Sequence, residues 1–440
     1  MPVKRASRLT ATFRIVTPMF LGGANHEATR IRASSIKGAI CFWWRALVFS
    51  RLVADCGGDQ LRARRELKQR ERMLFGGPKG QSSVLISVSQ ADLRTIRSEA
   101  YLGRNGEQIN APPRRPHREA WEANQAAGAG SRYLGYGVIG AFGQTESRLQ
   151  RGCIRLGQEF RVQLVFRPNI GAEKIKQVVD AVKLFGLLGG MGTRVRRGYG
   201  SVALARLEGD AVSHCTAWVP PEDTDQFKAS LINVLDRHSD RSVCGSQWPI
   251  TAFARETECF TTNRSCHNAY DIHNDIGTAI QQFRAWGFDP AHGGAPLVNG
   301  LPSLKNFKDD HDWYREAVFR TTYPDFVPER TAFGLPHRYS DTWAVNGTGD
   351  IERRASPLMI HIHQPGEGKN AFGVLSLFPT QFLPTGQVDA NGSKAYDFAR
   401  RGVPVLTSFL TGTPPDRVVA DGTTKAFSGS FASGLTKVLP

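Results

Sequence analysis

The sequence predicts an α+β fold whose first half runs strand, helix, strand, strand, helix, strand. Three observations carry that order. Apolar residues alternate with polar ones around residues 9–17 and 160–166. They recur at helical spacing after Ser35 and over Ala172–Leu188. Gly and Pro pairs punctuate the intervals between these segments.

Leu9 to Thr17 reads as a strand, with Leu9, Ala11, Phe13 and Ile15 on one side and Thr10, Thr12, Arg14 and Val16 on the other. Pro18 and Gly22-Gly23 end it. A helix follows with Ser34 or Ser35 as N-cap, because Ile36, Ile40, Trp43 and Leu47 fall on one face. Leu61 to Met73 is arginine-rich and predicts an exposed helix, either continuing the one before it or separate from it, that ends at Leu74-Phe75-Gly76-Gly77. Ser83 to Val88 is a short strand, and 103–132, with Pro112-Pro113-Arg114-Arg115-Pro116, is a long loop. Phe160 to Phe166 is a half-buried strand. Ala172 to Leu188 is a helix turning Ile175, Val178, Val179, Val182 and Phe185 inward, and Gly189-Gly190 stops it. Ser201 to Leu207 is the last strand of the set.

This βαββαβ order is that of the ferredoxin-like fold. In RNA-recognition modules its sheet offers an open face to single-stranded RNA. Pro220-Pro221 suggests a division into domains 1–215 and 216–440. In the second half, Asp225–Arg237 and Ala269–Trp286 read as helices, and Pro357–His363 and Phe372–Phe378 as strands. A second, diverged ferredoxin-like unit is the expectation there, although 287–350 is mostly Gly, Pro, Asp and aromatic residues.

No stretch of 18 apolar residues predicts a membrane span, and the basic start has no apolar run behind it to form a secretory signal. Seven scattered cysteines without a C-x-x-C pair argue against a disulfide framework and for a reducing, cytoplasmic setting. Cys259, Cys266, His267 and His273 lie close together but match no standard zinc spacing, so neither metal nor cofactor is expected. Asp309-Asp310-His311-Asp312 reads as an exposed acidic turn. There is no nucleophile elbow, H-E-x-x-H or P-loop.

Charge is more informative. Residues 1–220 carry 35 Lys and Arg against 16 Asp and Glu, whereas 221–440 carry 21 against 24. The first half is therefore the expected footprint of a polyanion. Arginine outnumbers lysine 42 to 14, which suits phosphate recognition and stacking on bases, and also fits a GC-rich genome.

Two segments concentrate this chemistry. Residues 186–200 (GLLGGMGTRVRRGYG) set six glycines around Arg194, Arg196, Arg197 and Tyr199. Glycines such as Gly189, Gly190 and Gly192 let backbone approach a ligand; the arginines bind phosphate and the tyrosine ring stacks on a base. The loop follows a helix, so the dipole there is unfavourable to anions, unlike a P-loop. A glycine-rich connector with solvated arginines is the plain alternative. In the second segment, Arg32, Ser34, Ser35 and Lys37 form a phosphate site at a helix start, with Trp44 and Arg45 flanking the core face.

Taken together, TPMFLGGA at 17–24, RASSIKGA at 32–39, FWWRAL at 42–47, LFGG at 74–77, YLGYG at 133–137 and the loop 189–200 resemble, in order, the family of first RAMP subunits of type III-B (Cmr) CRISPR effector complexes. RASPL at 354–358 and FGVLSLFP at 372–379 resemble its C-terminal pieces. The resemblance implies two ferredoxin-like RAMP domains in an RNA-guided complex. It implies a non-catalytic subunit near the crRNA 3′ end, capping the filament of backbone RAMP subunits, with crRNA and single-stranded target RNA as partners. The rival is a RAMP endoribonuclease that processes crRNA, with His26 as general base toward a 2′-hydroxyl and Glu27 tuning it. The family more often has an acidic residue near Asn25, so Asn25-His26-Glu27 departs from its pattern.

Overall fold

Alternation makes β1 (Ser7–Ile15) the centre of the first sheet: Leu9, Ala11, Phe13 and Ile15 are all buried on one side. After it come α1 (Ala33–Asp55), α2 (Gln60–Phe75), β2 (Val84–Ser89), a short α3 (Ala129–Leu134), β3 (Glu159–Phe166), α4 (Ala172–Leu188) and β4 (Val202–Glu208). In this computed structural model the described residues are 5–284, except 24–26, 28–29, 79, 91–92, 110–128, 141–146, 169 and 246–247. Beyond 284 they are 297–298, 301–302, 306–307, 310, 312, 315–316, 328–335, 337–338, 344–348, 353–378, 381, 387–390, 394–397, 402–411 and 434–439.

The first sheet is antiparallel throughout, in the order β2-β3-β1-β4. The apolar sides of β1 and β3 pack on α1 and α4; the Phe13 ring lies 5.5 Å from Phe160 and 4.9 Å from Phe185. The start of α1 differs from expectation. Arg32, extended at φ −96° and ψ 140°, is the cap and makes no side-chain capping bond. Ser34 and Ser35 lie one and two positions inside the helix, where a hydroxyl cannot cap the turn it belongs to. Helix α2 is separate from α1: Asp59 accepts from the Arg62 amide at 3.0 Å, and Ala63, Leu67, Leu74 and Phe75 are buried.

The second half contributes α5 (Thr224–His238), β5 (Glu258–Cys266), α6 (Ala269–Arg284), β6 (Leu358–His363), β7 (Ala371–Leu377), α7 (Gly402–Thr411) and β8 (Leu435–Leu439). Its sheet runs β6-β7-β5-β8, again antiparallel, so strands in the same chain order hold the same places as in the first. Strands β6 and β7 are buried on both faces, which removes polar alternation. Leu375 and Leu377 belong to the core under α6, and a Cβ on Gly373 would meet Ile276 at 2.5 Å. Phe372, Val374 and Met359 join the core of the first sheet, as do Phe227, Leu231, Val234 and Leu235 of α5.

Part of the expected loop 103–132 is instead α3; 110–128 lie outside the described residues. Helix α3 crosses α6 at two glycines. A Cβ on Gly130 would sit 2.0 Å from the Asn274 carbonyl oxygen, and one on Gly277 would sit 2.2 Å from the Gly130 oxygen. The expected acidic turn is also corrected. Asp310 is fully buried, and its carboxylate accepts from the amides of Glu329 at 3.0 Å and Arg330 at 2.8 Å.

Two buried histidines, His361 and His273, tie the halves together, and a third, His363, bonds within the second half. His361 Nδ1–H donates to the Gly189 carbonyl at 2.8 Å, and His363 Nε2–H to that of Pro221 at 3.1 Å. His273 Nε2–H donates to the Arg197 carbonyl at 2.8 Å, and its Nδ1 accepts from Ser131 Oγ at 2.9 Å. Burial pushes their pKa values down, to about 3 for His361 and about 4 for His363 and His273.

Gly277→Ala should lower unfolding stability by about 2–3 kcal/mol through overpacking at the helix crossing. A urea midpoint equal to wild type would refute the close approach. The histidines predict a pH dependence. The unfolded chain takes up protons first as pH falls below about 6.5, so stability declines towards about pH 4 and flattens once the folded form also protonates. Urea midpoints at several pH values check this; a profile flat between pH 7 and 5 would contradict it.

Candidate nucleic-acid interface

The glycine loop leaves α4 at Gly189 and folds back on itself, with the Met191 amide donating to the Gly200 carbonyl at 2.9 Å. Residues 17–20 zip along it. Thr17 Oγ1 donates to the Gly198 carbonyl at 2.7 Å and accepts from the Ser201 amide at 3.0 Å, while the Gly200 and Thr193 amides donate to the carbonyls of Pro18 and Phe20. Gly192 (φ +98°) and Gly200 (φ +66°) are required: a Cβ would lie 2.4 Å from the Phe20 oxygen and 2.0 Å from the Met191 oxygen. The glycines thus bring the loop close to its own chain and not, as expected, to a ligand. A Cβ on Gly189 would meet Trp43, and one on Gly190 would meet Gly200.

The other side of the loop lies on the second half. The Ile360 amide donates to the Arg196 carbonyl at 3.0 Å. Arg196 Nη1 donates to the Ser356 carbonyl at 2.9 Å, and Arg197 Nη2 to that of Phe333 at 3.1 Å. The three arginines are therefore half-buried, not exposed.

Between the halves lies a cavity of 1160 Å³, lined by α3, the loop 193–197, the end of α6, residues 333–335, 337 and 338, and residues 353–356 and 358. Nine arginines line it: Arg132, Arg151, Arg194, Arg196, Arg197, Arg284, Arg338, Arg353 and Arg354. No described lining residue is acidic. Burial lowers the pKa of Arg196 to about 10, helped by the neighbouring Arg354 charge, and lowers those of Arg194, Arg197 and Arg354 as well. Arginine keeps its proton in proteins at neutral pH, so the cavity holds positive charge that no described lining carboxylate balances. Aromatic rings stand among the arginines: Arg284 lies over Phe333 (4.7 Å) and Tyr133 (5.7 Å), and Tyr136 is 63% exposed. An extended polyanion carrying stackable rings fits this chemistry.

A smaller hollow of 340 Å³ adjoins, lined by Ser35 and Ala39 of α1 and by Gly190–Thr193 and Val195; Thr193 and Val195 line both. The two segments singled out from the sequence therefore meet. Arg32 and Ser34 are exposed and Lys37 half-buried on the same helix start. Other expected contacts fail. Trp44 is fully buried, edge-on to Phe75 at 5.9 Å. Arg45 is paired with Glu71 at 2.9 Å. Tyr199 is fully buried, its hydroxyl donating to the Ser131 carbonyl at 2.8 Å and lying 2.8 Å from the Tyr270 hydroxyl, so its ring is closed to a base. His26 lies outside the described residues, and Glu27 accepts from the Ser98 amide at 3.0 Å. Cys259 contacts Ser376, and Cys266 donates to the Asn268 carbonyl, in separate places from His273.

Arg132, Tyr136, Arg151, Arg284, Arg338, Arg353 and Arg354 were missed as site residues. Part of the signal was in hand: the blocks at 133–137, 189–200 and 354–358 each line the cavity.

Residues 12–203 match the RAMP superfamily. The chain resembles the CRISPR system Cmr subunit Cmr1-1 of Pyrococcus furiosus, at 24% identity over 362 residues, 81% of this chain and 83% of that protein. In fold it is similar to a chain of type III-B Cmr-beta bound to cognate target RNA, at 13% identity over 92% of this chain and 99% of that one, with a TM-score of 0.50. The apo crystal structure of Cmr1 from Pyrococcus furiosus aligns at 18% identity over 86% of this chain and 89% of that one, with a TM-score of 0.47.

Tyr199→Phe removes a buried hydroxyl that bridges α3 and α6, and should cost about 1–2 kcal/mol of stability. Equilibrium unfolding in urea checks this; a midpoint equal to wild type would show that the bridge carries no stability.

Proposed function

We propose that this chain is a non-catalytic RNA-binding subunit of a type III-B (Cmr) CRISPR effector complex, and that the arginine cavity holds single-stranded RNA by its phosphates. One observation carries the reading: nine arginines line one cavity, with no carboxylate among its described lining residues. Arg194, Arg196, Arg197 and Arg354 supply charge there, and Tyr136 takes the stacking role once assigned to Tyr199. Arg32, Ser34, Ser35 and Lys37 extend the track through the adjoining hollow. The two halves, meeting near residue 215, act as two ferredoxin-like RAMP domains with the RNA between them; the repeated strand order supports this. Following the family resemblance, the subunit caps the crRNA 3′ side of the backbone filament, beside other RAMP subunits, and helps take up target RNA.

The full chain carrying Arg194→Gln and Arg354→Gln should bind single-stranded RNA at least tenfold more weakly, since a charged hydrogen bond contributes about 1.5–3 kcal/mol. The loss should be similar across sequences, because phosphate contacts position and do not specify. Tyr136→Ala should cost about 1–3 kcal/mol more. Labelled RNA should stay intact with and without divalent metal. Unchanged affinity in the folded double variant refutes the site, and specific cleavage abolished by His26→Ala installs the ribonuclease reading.

A further inference from the structure

Helix α2 is not part of the cavity lining, yet it is the most basic helix of the fold. Its sequence, QLRARRELKQRERMLF, holds six cationic residues and two acidic ones. Both acids are engaged elsewhere: Glu66 with Arg70 at 2.7 Å and Glu71 with Arg45 of α1 at 2.9 Å. No carboxylate among the described residues pairs with Arg62, Arg64, Arg65, Lys68 or Arg72, and all five are exposed. At 100° per residue, Arg65, Lys68 and Arg72 fall within one narrow stripe, with Arg64 and Arg62 beside it. The acids lie off this stripe, so it presents one sign of charge along most of the helix.

The helix turns its apolar side, Ala63, Leu67, Leu74 and Phe75, into the core. Leu61 and Met73, the exposed apolar residues, stand at opposite ends of the helix. No apolar face remains to enter a lipid interface, which a membrane-surface helix requires. A solvated, salt-bridged helix normally interleaves its charges in i,i+4 pairs, and only Arg70 does so here. We propose that α2 is a second RNA surface, a rail that grips phosphates of a strand running beyond the cavity. The inference rests on the RNA-binding reading above and gives it length: short RNA fills the cavity, longer RNA also meets α2. The contacts are purely ionic and carry no sequence preference.

The test compares full-length wild type, the triple variant Arg65→Gln, Lys68→Gln, Arg72→Gln, the cavity double variant, and a charge-keeping Arg65→Lys, Arg72→Lys variant. Each is titrated with a single-stranded RNA of about 6 and one of about 30 nucleotides at several salt concentrations. At about 0.7 counterions per phosphate contact on single strands, the triple variant should lower the salt slope for long RNA by about 2. It should leave short RNA unaffected, and the Lys variant should behave as wild type. The cavity variant should weaken both RNAs, so failure of the cavity reading and failure of this one look different. An unchanged slope for long RNA in the folded triple variant overturns the proposal. So does binding to phosphatidylserine vesicles that the triple variant loses while its RNA slope stays put.

Discussion

The approach of backbone to backbone in the glycine loop is the constraint on which the rest depends. With Gly192 against the Phe20 carbonyl and Gly200 against that of Met191, residues 189–200 form a compact tongue with no room for a side chain at those contacts. One surface of the tongue is clamped by residues 17–20, which follow β1, and the other meets β6 of the second sheet. The halves are therefore joined through main-chain hydrogen bonds, and the cavity beside the tongue is lined by residues of both halves.

That placement explains the electrostatics. Arg196 and Arg197 each donate to a backbone carbonyl across the join, and such an acceptor satisfies a donor without neutralising the cation. Burial disfavours the charged form, and Arg354 beside Arg196 adds to it. The result is a half-buried group of cations whose field points into the cavity. A phosphate there offers what the protein withholds, whereas a lining carboxylate would have stabilised the fold and lowered the affinity for anions.

The first sheet was legible because one of its faces is apolar and the other polar, so β1 and β3 announce themselves by period two. Helices 172–188, 224–238 and 269–284 were legible by the same logic at period 3.6. The second sheet was harder. Strands β6 and β7 are buried on both sides, and the residues that close their sheet lie far along the chain. Trp44 and Tyr199 show the limit of reading side chains by type. A ring suited to stacking on a base is equally suited to a core, and burial is a property of the tertiary fold alone.

Charge counted along the chain misled in an instructive way. The second half carries more acidic than basic residues, yet supplies Arg284, Arg338, Arg353 and Arg354 to the cavity. Two of its described acids are used elsewhere: Asp310 is sealed beneath the turn at 329–333, and Glu258 pairs with Lys437 at 2.7 Å. Among the described residues, folding gathers arginines from both halves on one wall without an acid beside them. Blocks at 133–137, 189–200 and 354–358, more than 200 residues from first to last, converge on a single wall. Residues of both halves line that wall, so the site proposed for a polyanion lies at the join between the two halves.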